Sequence, residues 1–242
     1  MVKQAVFITG GSRGIGAACV KKFAEAGFDV AFTYYRHQAE ATALATANGA
    51  LALRADAADK EEVARVVREA LCYFGRVSFD VLICSAGEAM DALFTEYRED
   101  ERRHLLDVDL YGPMYALDAV LPRMVEQKKG SIVLVSSIWG ERAASCESIY
   151  AAAKAGLIAL ARSLAAEVGP SGIRVNAVSP GVIDTDMMKT YDEKARQDLA
   201  ERTPLGRLGR AEEVAEAIFF LAGDKASFIT GISLGVHGGF GI

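Results

Sequence analysis

Short β-type runs alternate with helical stretches along almost the whole chain, and this alternation restricts the possible folds more than any other feature. Apolar and β-branched residues predict strands at 5–8, 30–34, 51–54, 81–84, 132–135, 174–178 and 232–236. Residues at helical spacing predict helices at 15–27, 38–48, 60–74, 100–127, 149–168 and 211–222. Strands that alternate with helices pair in parallel, so the pattern predicts an α/β protein.

Several of the strand runs are apolar on successive residues rather than on every second residue. That pattern is typical of a sheet covered by helices on both faces. We therefore expect a doubly wound, seven-stranded parallel sheet of the Rossmann type, formed by residues 1–242 as a single domain. Gly112-Pro113 should kink the helix at 100–127. Residues 182–206 form the one long polar segment between a predicted strand and a predicted helix. We interpret this segment as a mobile substrate flap.

Charge and composition argue against several classes of partner. The net charge is −5 and no lysine- or arginine-rich run is present, so we expect no nucleic-acid binding. Apolar stretches such as 132–135 fall far short of the roughly 20 residues of a membrane span, and the first residues leave no room for a signal peptide, so we expect a cytoplasmic protein. The four cysteines and three histidines are scattered, so we expect no metal site and no disulfide framework.

A glycine-rich loop, TGGSRGIG at residues 9–16, directly follows the first predicted strand and opens the first helix. Glycines at this place permit a tight turn, a close approach of backbone to phosphate, and close packing of helix on strand. The start of the helix then offers N–H groups to an anion. The loop predicts a dinucleotide site whose candidate ligands are Gly10, Ser12, Arg13, Gly14, Ile15 and Gly16.

The end of the second predicted strand, VAFTYYRH at residues 30–37, indicates which dinucleotide binds. An acidic residue here would bind the 2′-hydroxyl of NAD, but this stretch has none and carries Arg36. Arg13 lies in the glycine-rich loop. Two guanidinium groups suit a 2′-phosphate, so the sequence favours NADP(H) as the cofactor.

Tyr150 and Lys154 lie four residues apart on a predicted helix and therefore share one face. An ammonium about 4 Å from a phenol favours the phenolate by roughly 4 kcal/mol at an effective dielectric of about 20. We therefore expect Lys154 to lower the pKa of Tyr150 from its ordinary value of about 10 towards neutrality. Ser137 ends the fifth strand run, where its hydroxyl should enter the same pocket. These three residues are candidate catalytic groups.

Together with SPGVIDT at residues 179–185, these motifs resemble those of the short-chain dehydrogenase/reductase family over essentially the whole chain. The resemblance implies that Tyr150 is the general acid, that Lys154 lowers its pKa and binds the nicotinamide ribose, and that Ser137 binds the reacting oxygen. It also implies further cofactor contacts besides Tyr150 and Lys154, at Asp56, Ala57, Ser85, Ala86, Gly87, Pro180, Gly181, Ile183 and Thr185.

Two positions depart from the family pattern. The turn CSAG at residues 84–87 replaces the family's N-N-A-G, and Asp109 in DVDLYG stands where the family has a catalytic asparagine. The backbone carbonyl of that asparagine is thought to hold a water of the proton relay, and an aspartate retains the carbonyl. Its carboxylate could disturb the local charge balance. We keep Asp109 as a supporting catalytic candidate.

Within the family the chain is most similar to the 3-oxoacyl-[acyl-carrier-protein] reductase branch, from YAAAKAG through IRVNAVSPG to PLGRLGRAEEVA. This similarity implies NADPH-dependent reduction of a ketone, either a small molecule or a carrier-bound thioester. Lys128 and Lys129 are candidate contacts for an acidic carrier. The family is usually a homotetramer, so we expect a homotetramer or a dimer.

The stretch SSIWG followed by ASCE, within residues 136–147, instead resembles a sub-branch that reduces a 5-aminopentanone modification on elongation factor P. In that case Trp139 would pack against the aliphatic arm, and Glu147 would pair with its ammonium. Alternatively, Glu147 is a solvated residue in the first turn of a helix, and Trp139 only packs. A third hypothesis is a catalytically weak NADP-binding regulator or scaffold, for which Asp109 and the altered turn are the support.

Overall fold

The computed structural model describes residues 3–241. In that part of the chain the strands are β1 (Ala5–Thr9), β2 (Asp29–Tyr34), β3 (Leu51–Arg54), β4 (Val81–Cys84), β5 (Gly130–Val135), β6 (Ile173–Pro180), β7 (Ile183–Asp184), β8 (Gly209–Arg210) and β9 (Ser233–Val236). The α-helices are α1 (Gly14–Glu25), α2 (Gln38–Asn48), α3 (Lys60–Phe74), α4 (Glu99–Leu106), α5 (Gly112–Gln127), α6 (Ser148–Val168), α7 (Glu193–Glu201) and α8 (Ala211–Ala222). All seven predicted strand runs are strands.

Seven strands form one parallel sheet in the order β3-β2-β1-β4-β5-β6-β9. This order confirms the predicted doubly wound Rossmann fold. β1 pairs with β2 on one side and with β4 on the other, so the winding direction of the chain reverses between β1 and β4. The loops that follow these two strands diverge and leave a crevice at the carboxyl edge of the sheet.

Helices bury both faces of the sheet, as its apolar strands predicted. Phe7 and Leu82 belong to the core formed with α3, α5 and α6, whereas Ile8 and Ile83 belong to the core formed with α1 and α8. Successive residues of one strand thus supply opposite cores. Burial of each such side chain contributes roughly 1.5–3 kcal/mol, so the sheet is a firm platform for the loops at its edge.

The predicted helix at 100–127 is interrupted by a π-helical turn at Asp107–Tyr111, between α4 and α5. The predicted kink at Gly112-Pro113 lies directly after this turn. Pro113 occupies the first turn of α5, where a missing N–H costs no helical hydrogen bond. A π turn widens the helix locally and re-aims the side chains on it. Here it carries the side chain of Asp109, which has no exposed surface.

Residues 182–206 fold into β7, a 3₁₀ turn at Asp186–Thr190 and α7. β7 pairs with β8 in a separate two-stranded ribbon. Several residues of this segment line the crevice at the carboxyl edge of the sheet, which is the position that a substrate flap requires. The mobility of the segment stays a prediction.

One helix contains an apolar stretch that is longer than the strand-length runs considered in the sequence analysis. From Ser148 to Ser171 the chain is long enough, and at a mean hydropathy of 1.3 apolar enough, to cross a membrane. This segment contains α6, whose Leu157 and Ala161 are buried in the core below the sheet. A single helix of this length and hydropathy does not by itself indicate a membrane span, because helices that pack on a protein core meet the same two criteria.

Candidate functional site

A cavity of about 700 Å³ lies at the carboxyl edge of the sheet, among the loops that follow β1, β2, β4, β5 and β6. Small-molecule and cofactor sites commonly measure about 300–1,000 Å³. Every predicted cofactor, catalytic and substrate residue except Asp109 lines this cavity. Asp109 lies behind its wall, against Gly87 and Lys154.

The glycine-rich loop leaves no space for side chains. A Cβ on Gly16 would lie 2.1 Å from the carbonyl oxygen of Gly10, and a Cβ on Gly10 would lie 2.6 Å from the Cα of Ala86. α1 begins at Gly14 with no side-chain cap and no acidic residue in its first turn. The first N–H groups of the helix therefore lack a side-chain partner at the cavity wall, where they fit the phosphates of a dinucleotide.

Thr9 joins the two loops that flank the crevice. Its Oγ1 accepts hydrogen bonds from the backbone N–H of Ser85 at 3.1 Å and of Ala86 at 3.2 Å. On the other side, the Oγ1 of Thr33 accepts a bond from the N–H of Gly10 at 3.1 Å. These bonds fix the glycine-rich loop relative to the ends of β2 and β4.

The arginines predicted to bind a 2′-phosphate both line the cavity, at the end nearest β2 and β3. The Cζ of Arg36 lies 5.4 Å from the ring centroid of Tyr35, and the Cζ of Arg54 lies 5.2 Å from the same centroid. Arg13 forms an ion pair with Asp186 at 3.8 Å. The sequence analysis missed Arg54 and Asp186. Arg54 ends β3 in register with the end of β2, so only the strand pairing reveals that it belongs here.

A tight turn after β3 holds Asp56 and Ala57 at the cavity. The carboxylate of Asp56 accepts a hydrogen bond from the N–H of Ala58 at 2.9 Å, and the N–H of Asp56 donates to Glu62 at 2.8 Å. Asp56 is therefore positioned by its neighbours in the way that a ligand-binding carboxylate requires.

The segment after β6 closes the cavity from the opposite side. A Cβ on Gly181 would lie 2.6 Å from the Cβ of His237, so a glycine is needed at this crossing. Thr185 lies next to the glycine-rich loop. A Cβ built on Gly14 would be 3.4 Å from the Cγ2 of Thr185. Pro180 and Ile183 complete this wall.

Ser137, Tyr150 and Lys154 are buried residues that line the same cavity. The Ser137 hydroxyl accepts a hydrogen bond from the N–H of Trp139 at 3.2 Å, and it acts to lower the pKa of Tyr150. The Nζ of Lys154 donates to the carbonyl oxygen of Val135 at 3.3 Å and lies 5.4 Å from the ring centroid of Tyr150. Tyr150 is 8% exposed and Lys154 4% exposed, so charges on either group have little solvation.

The Asp109 carboxylate, and not only its backbone, contacts this cluster. Its Oδ1 lies 2.9 Å from the Nζ of Lys154, and its Oδ2 accepts a hydrogen bond from the N–H of Glu88 at 3.3 Å. The side chain of Glu88 in turn contacts the ring of His104 at 3.0 Å, nearer the surface. Asp109 and Lys154 thus form a buried ion pair.

The pKa of Tyr150 is raised, so the expectation of a lowered value is wrong. Burial is the largest cause, because it removes solvent from the phenolate; Lys154 opposes it, and the carboxylate of Asp109 adds to it. For Lys154, burial acts to lower the pKa, but Asp109 and Tyr150 raise it overall. The spacing of Tyr150 and Lys154 predicted their proximity but not the sign of the shift, because burial of the phenol outweighs the effect of the ammonium and Asp109 adds to burial.

Trp139 and Glu147 form a second wall of the cavity with Asp91 and Tyr191. The Trp139 side chain acts to lower the pKa of the Glu147 carboxylate, but two larger effects oppose it. Burial and then the nearby Asp91 raise the pKa of Glu147 to about 7. The hydroxyl of Tyr191, in the 182–206 segment, donates to Asp91 at 3.4 Å. Within residues 3–241, neither carboxylate forms a salt bridge.

The sequence analysis missed Asp91 and Tyr191. A signal existed for Asp91, because polar residues just after the carboxyl end of a buried parallel strand commonly face a site. No such signal marks Tyr191, which reaches the cavity only through the fold of the 182–206 segment.

The two candidate carrier contacts lie away from the cavity. Lys128 is the C-terminal cap of α5, and Lys129 forms an ion pair with Asp80 at 2.9 Å. Both precede the start of β5 at Gly130, whereas the cavity lies beyond its end. They are therefore on the amino edge of the sheet, opposite the site.

The chain is similar to known proteins over nearly its whole length. A family model described as enoyl-(acyl carrier protein) reductase matches residues 10–241. The 3-oxoacyl-[acyl-carrier-protein] reductase FabG of Staphylococcus aureus is 36% identical over 244 residues, which cover 99% of this chain and 98% of that protein.

Two solved structures share the fold closely. A short-chain dehydrogenase/reductase from Serratia marcescens has a TM-score of 0.92 and 36% identity, covering 99% of this chain and 98% of its own. A blue fluorescent protein from a metagenomic library, solved in complex with NADPH, has a TM-score of 0.91 and 34% identity, with the same two coverages.

Proposed function

The chain belongs to the short-chain dehydrogenase/reductase family of oxidoreductases, and we propose that it is an NADPH-dependent reductase that converts a ketone into a secondary alcohol. The observation that carries this proposal is the cavity that Ser137, Tyr150 and Lys154 share with the uncapped start of α1. A hydroxyl, a phenol and an ammonium can bind and protonate a carbonyl oxygen, while a helix N-terminus binds phosphate.

The residues present fit a nicotinamide dinucleotide. The glycine-rich loop and the start of α1 would hold the pyrophosphate, Asp56 and Ala57 would contact the adenine, and the stretch from Pro180 to Thr185 would contact the nicotinamide. When bound, the reduced nicotinamide supplies the hydride that no side chain can provide.

NADP(H) is favoured over NAD(H) because guanidinium groups gather where the adenosine ribose would lie. Arg13 and Arg36 line this end of the cavity, and Arg54 contacts the same Tyr35 ring as Arg36. The end of β2 offers no carboxylate to bind a 2′-hydroxyl. The NADPH complex of the metagenomic blue fluorescent protein is a further support.

Ser137, Tyr150 and Lys154 have separate roles at the carbonyl group of the substrate. The Ser137 hydroxyl donates a hydrogen bond to the carbonyl oxygen and so stabilises the negative charge that develops on it. The Tyr150 hydroxyl then donates its proton to that oxygen. Lys154, held by the carbonyl oxygen of Val135 and by Asp109, orients the ribose and the proton-donating phenol.

A 3-oxoacyl thioester on an acyl carrier protein is the first candidate substrate. Its support is the 36% identity to the Staphylococcus aureus 3-oxoacyl-[acyl-carrier-protein] reductase over nearly the full length of both chains. The lysines at the amino edge of the sheet add nothing to this candidate, because they lie opposite the cavity.

An amino ketone, such as a 5-aminopentanone group on elongation factor P, is the second candidate. Its support is the wall on which Glu147 and Asp91 lie close enough for repulsion to raise a pKa. An ammonium between the two carboxylates would relieve this repulsion and gain charge-assisted hydrogen bonds. Trp139 offers an apolar surface for the aliphatic arm of such a substrate.

The partners follow from these candidates: a small or carrier-bound ketone as substrate, and other copies of the chain in a homotetramer or dimer. The proposed location is the cytoplasm. A catalytically weak, NADP-binding regulator is the alternative of a different class, and the buried Asp109 carboxylate beside Lys154 is the observation that favours it.

A paired assay tests the proposal. The purified protein is mixed with NADPH or NADH and with 3-oxoacyl thioesters, diketones or amino ketones, and nicotinamide absorbance is followed. We expect one ketone class to be reduced with NADPH in preference to NADH. Tyr150→Phe should lose nearly all turnover while it still binds NADPH, because only the proton donor is removed. A protein that binds NADPH and reduces no ketone would instead be the regulator, and normal turnover by Tyr150→Phe would refute the catalytic assignment.

A further inference from the structure

A carboxylate buried beside the catalytic lysine needs a physical reason. Asp109 has no exposed surface, and the π turn at Asp107–Tyr111 directs it to the Nζ of Lys154, 2.9 Å away. The neighbouring turn leaves space for this contact: a Cβ on Gly87 would lie 2.7 Å from Oδ1 of Asp109 and 3.1 Å from Nζ of Lys154. The N–H of Glu88 then binds the second oxygen of Asp109. Three elements therefore combine to build this one ion pair.

The ion pair changes how strongly the ammonium of Lys154 stabilises the phenolate form of Tyr150. An unpaired ammonium beside a phenol favours the phenolate, and so favours loss of the phenol proton. Lys154 and Asp109 together carry no net charge, whether the shared proton is on the nitrogen or on the carboxylate. In this low-polarity pocket the pair therefore stabilises a phenolate less than a lone ammonium would, because the Asp109 carboxylate repels it.

We propose that Asp109 is a positioning residue that binds the ammonium of Lys154 and thereby keeps Tyr150 in its protonated form, the form that reduces a ketone. The inference rests on the proposed function. Asp109 does not alter the equilibrium between ketone and alcohol, which is independent of the protein. It extends reduction to higher pH and moves the onset of alcohol oxidation, which needs the phenolate, to higher pH as well.

The other ionisable groups around this pair come from three elements. Tyr150 shares α6 with Lys154, and Glu88 lies on the turn after β4, where His104 of α4 contacts its carboxylate. Cys84 ends β4 and faces Lys154; burial raises its pKa to about 12, so it stays a neutral thiol over the working range. Among these groups, Asp109 is the carboxylate in contact with Lys154.

The first test titrates Tyr150 in the cofactor-free protein. Phenolate absorbance is recorded against pH for the wild type and for Tyr150→Phe, and the difference isolates Tyr150. The same pair of curves is recorded in an Asp109→Asn background, over the range in which circular dichroism stays constant. We expect the Tyr150 midpoint to lie above that of an ordinary tyrosine in the wild type and to fall in Asp109→Asn. Equal midpoints in the two backgrounds would overturn the proposal.

The second test follows both reaction directions against pH at saturating cofactor. In Asp109→Asn, the alkaline fall of ketone reduction and the rise of alcohol oxidation should both move to lower pH. Oxidation at neutral pH should become roughly tenfold faster or more, since one charge at contact distance changes proton affinity by about one to three pK units. Superimposable profiles would contradict the proposal. Asp107→Asn is the matched control, because Asp107 lies on the same turn and does not contact Lys154.

Two further outcomes are informative. If Asp109→Asn does not fold, the wild-type difference titration can still refute the role of Asp109, because a Tyr150 midpoint at or below the ordinary tyrosine value would contradict it. If the protein reduces no ketone, the proposed function fails, but the titration of the cofactor-free protein still tests the Asp109–Lys154 pair on its own.

Discussion

The side chains of Trp139 and Glu147 lie together on one wall of the cavity, where Trp139 acts to lower the pKa of Glu147 against the larger effects of burial and of Asp91. Trp139 therefore stabilises the charged form of Glu147 besides packing beside it. The cavity thus has an acidic end at Glu147 and Asp91, apart from the proposed carbonyl-binding end at Ser137 and Tyr150. A substrate with a ketone and a cation would match both ends.

Replacing the acid at that end should change substrate choice. Glu147→Gln should raise KM for an amino ketone about tenfold or more, because a charge-assisted hydrogen bond contributes about 1.5–3 kcal/mol. Its KM for a neutral diketone should not change. Steady-state kinetics on the two ketones measures this ratio, with Glu25→Gln, an exposed residue of α1, as the control. An unchanged ratio would exclude Glu147 from cation binding.

The same residue should give the wild type a pH-dependent substrate preference. The pKa of Glu147 is raised to about 7, so its carboxylate is charged above that pH and neutral below it. KM for an amino ketone should therefore rise as the pH falls from about 8 to about 6, where an alkylamine stays fully charged. Glu147→Gln should lack this dependence. A rise of equal size in the variant would assign the effect to another group.

Glu147 should also destabilise the folded protein at high pH. Its folded pKa of about 7 lies above the ordinary value of 4.5, so the folded state binds the proton more tightly. The corresponding stability is present at low pH and is lost as the pH rises through this interval. Glu147→Gln should thus have a higher Tm than the wild type at pH 8, and the difference should shrink towards pH 5. Calorimetry measures both values; a variant less stable than the wild type at pH 8 would contradict the burial argument.

The arginines at the adenosine end should discriminate between the two nicotinamide dinucleotides. Replacing Arg13 and Arg36 together by alanine should weaken NADPH roughly a hundredfold relative to NADH, since each guanidinium bond to a phosphate contributes about 1.5–3 kcal/mol. Calorimetric titration of both cofactors gives the ratio. Arg162→Ala, on the exposed face of α6, is the control. Equal losses for both cofactors would refute a 2′-phosphate site.

The glycine-rich loop should not tolerate even one methyl group. Gly16→Ala would place a Cβ 2.1 Å from the carbonyl oxygen of Gly10, so the loop must move away from α1. We expect a loss of stability of about 1–3 kcal/mol, typical of overpacking, together with weak binding of either dinucleotide. Gly169→Ala is the matched control, because nothing lies within 4 Å of its Cβ position. Normal cofactor binding by Gly16→Ala would exclude the loop from the phosphate site.

Patterns local in sequence were sufficient to predict the sheet and most of the cavity. Strand runs at successive apolar positions predicted the buried parallel sheet, and loops at the carboxyl ends of such strands necessarily meet. Ser137 and Tyr150 therefore lie together although they belong to different elements. This part of the site depends on topology, which the order of strands and helices determines.

Features that depend on local backbone geometry could not be predicted in this way. Helical spacing does not reveal the π turn that directs Asp109 at Lys154, because one short π turn inside an α-helix is too brief to set a residue pattern of its own. The raised pKa of Tyr150 depends first on its burial, to which the carboxylate of Asp109 adds. Asp91 and Tyr191 likewise meet only because the 182–206 segment folds over the cavity.

The turn that follows β4 touches each part of the site in succession. Ser85 and Ala86 bind Thr9 beside the glycine-rich loop, Gly87 makes room for the ion pair of Asp109 and Lys154, and Asp91 faces Glu147. The length of this turn, counted in residues, thus sets the distance between the glycine-rich loop and the wall at Glu147. No single side chain sets it. A substitution in this turn would tune one subsite, whereas inserting or deleting a single residue would put all of them out of alignment at once.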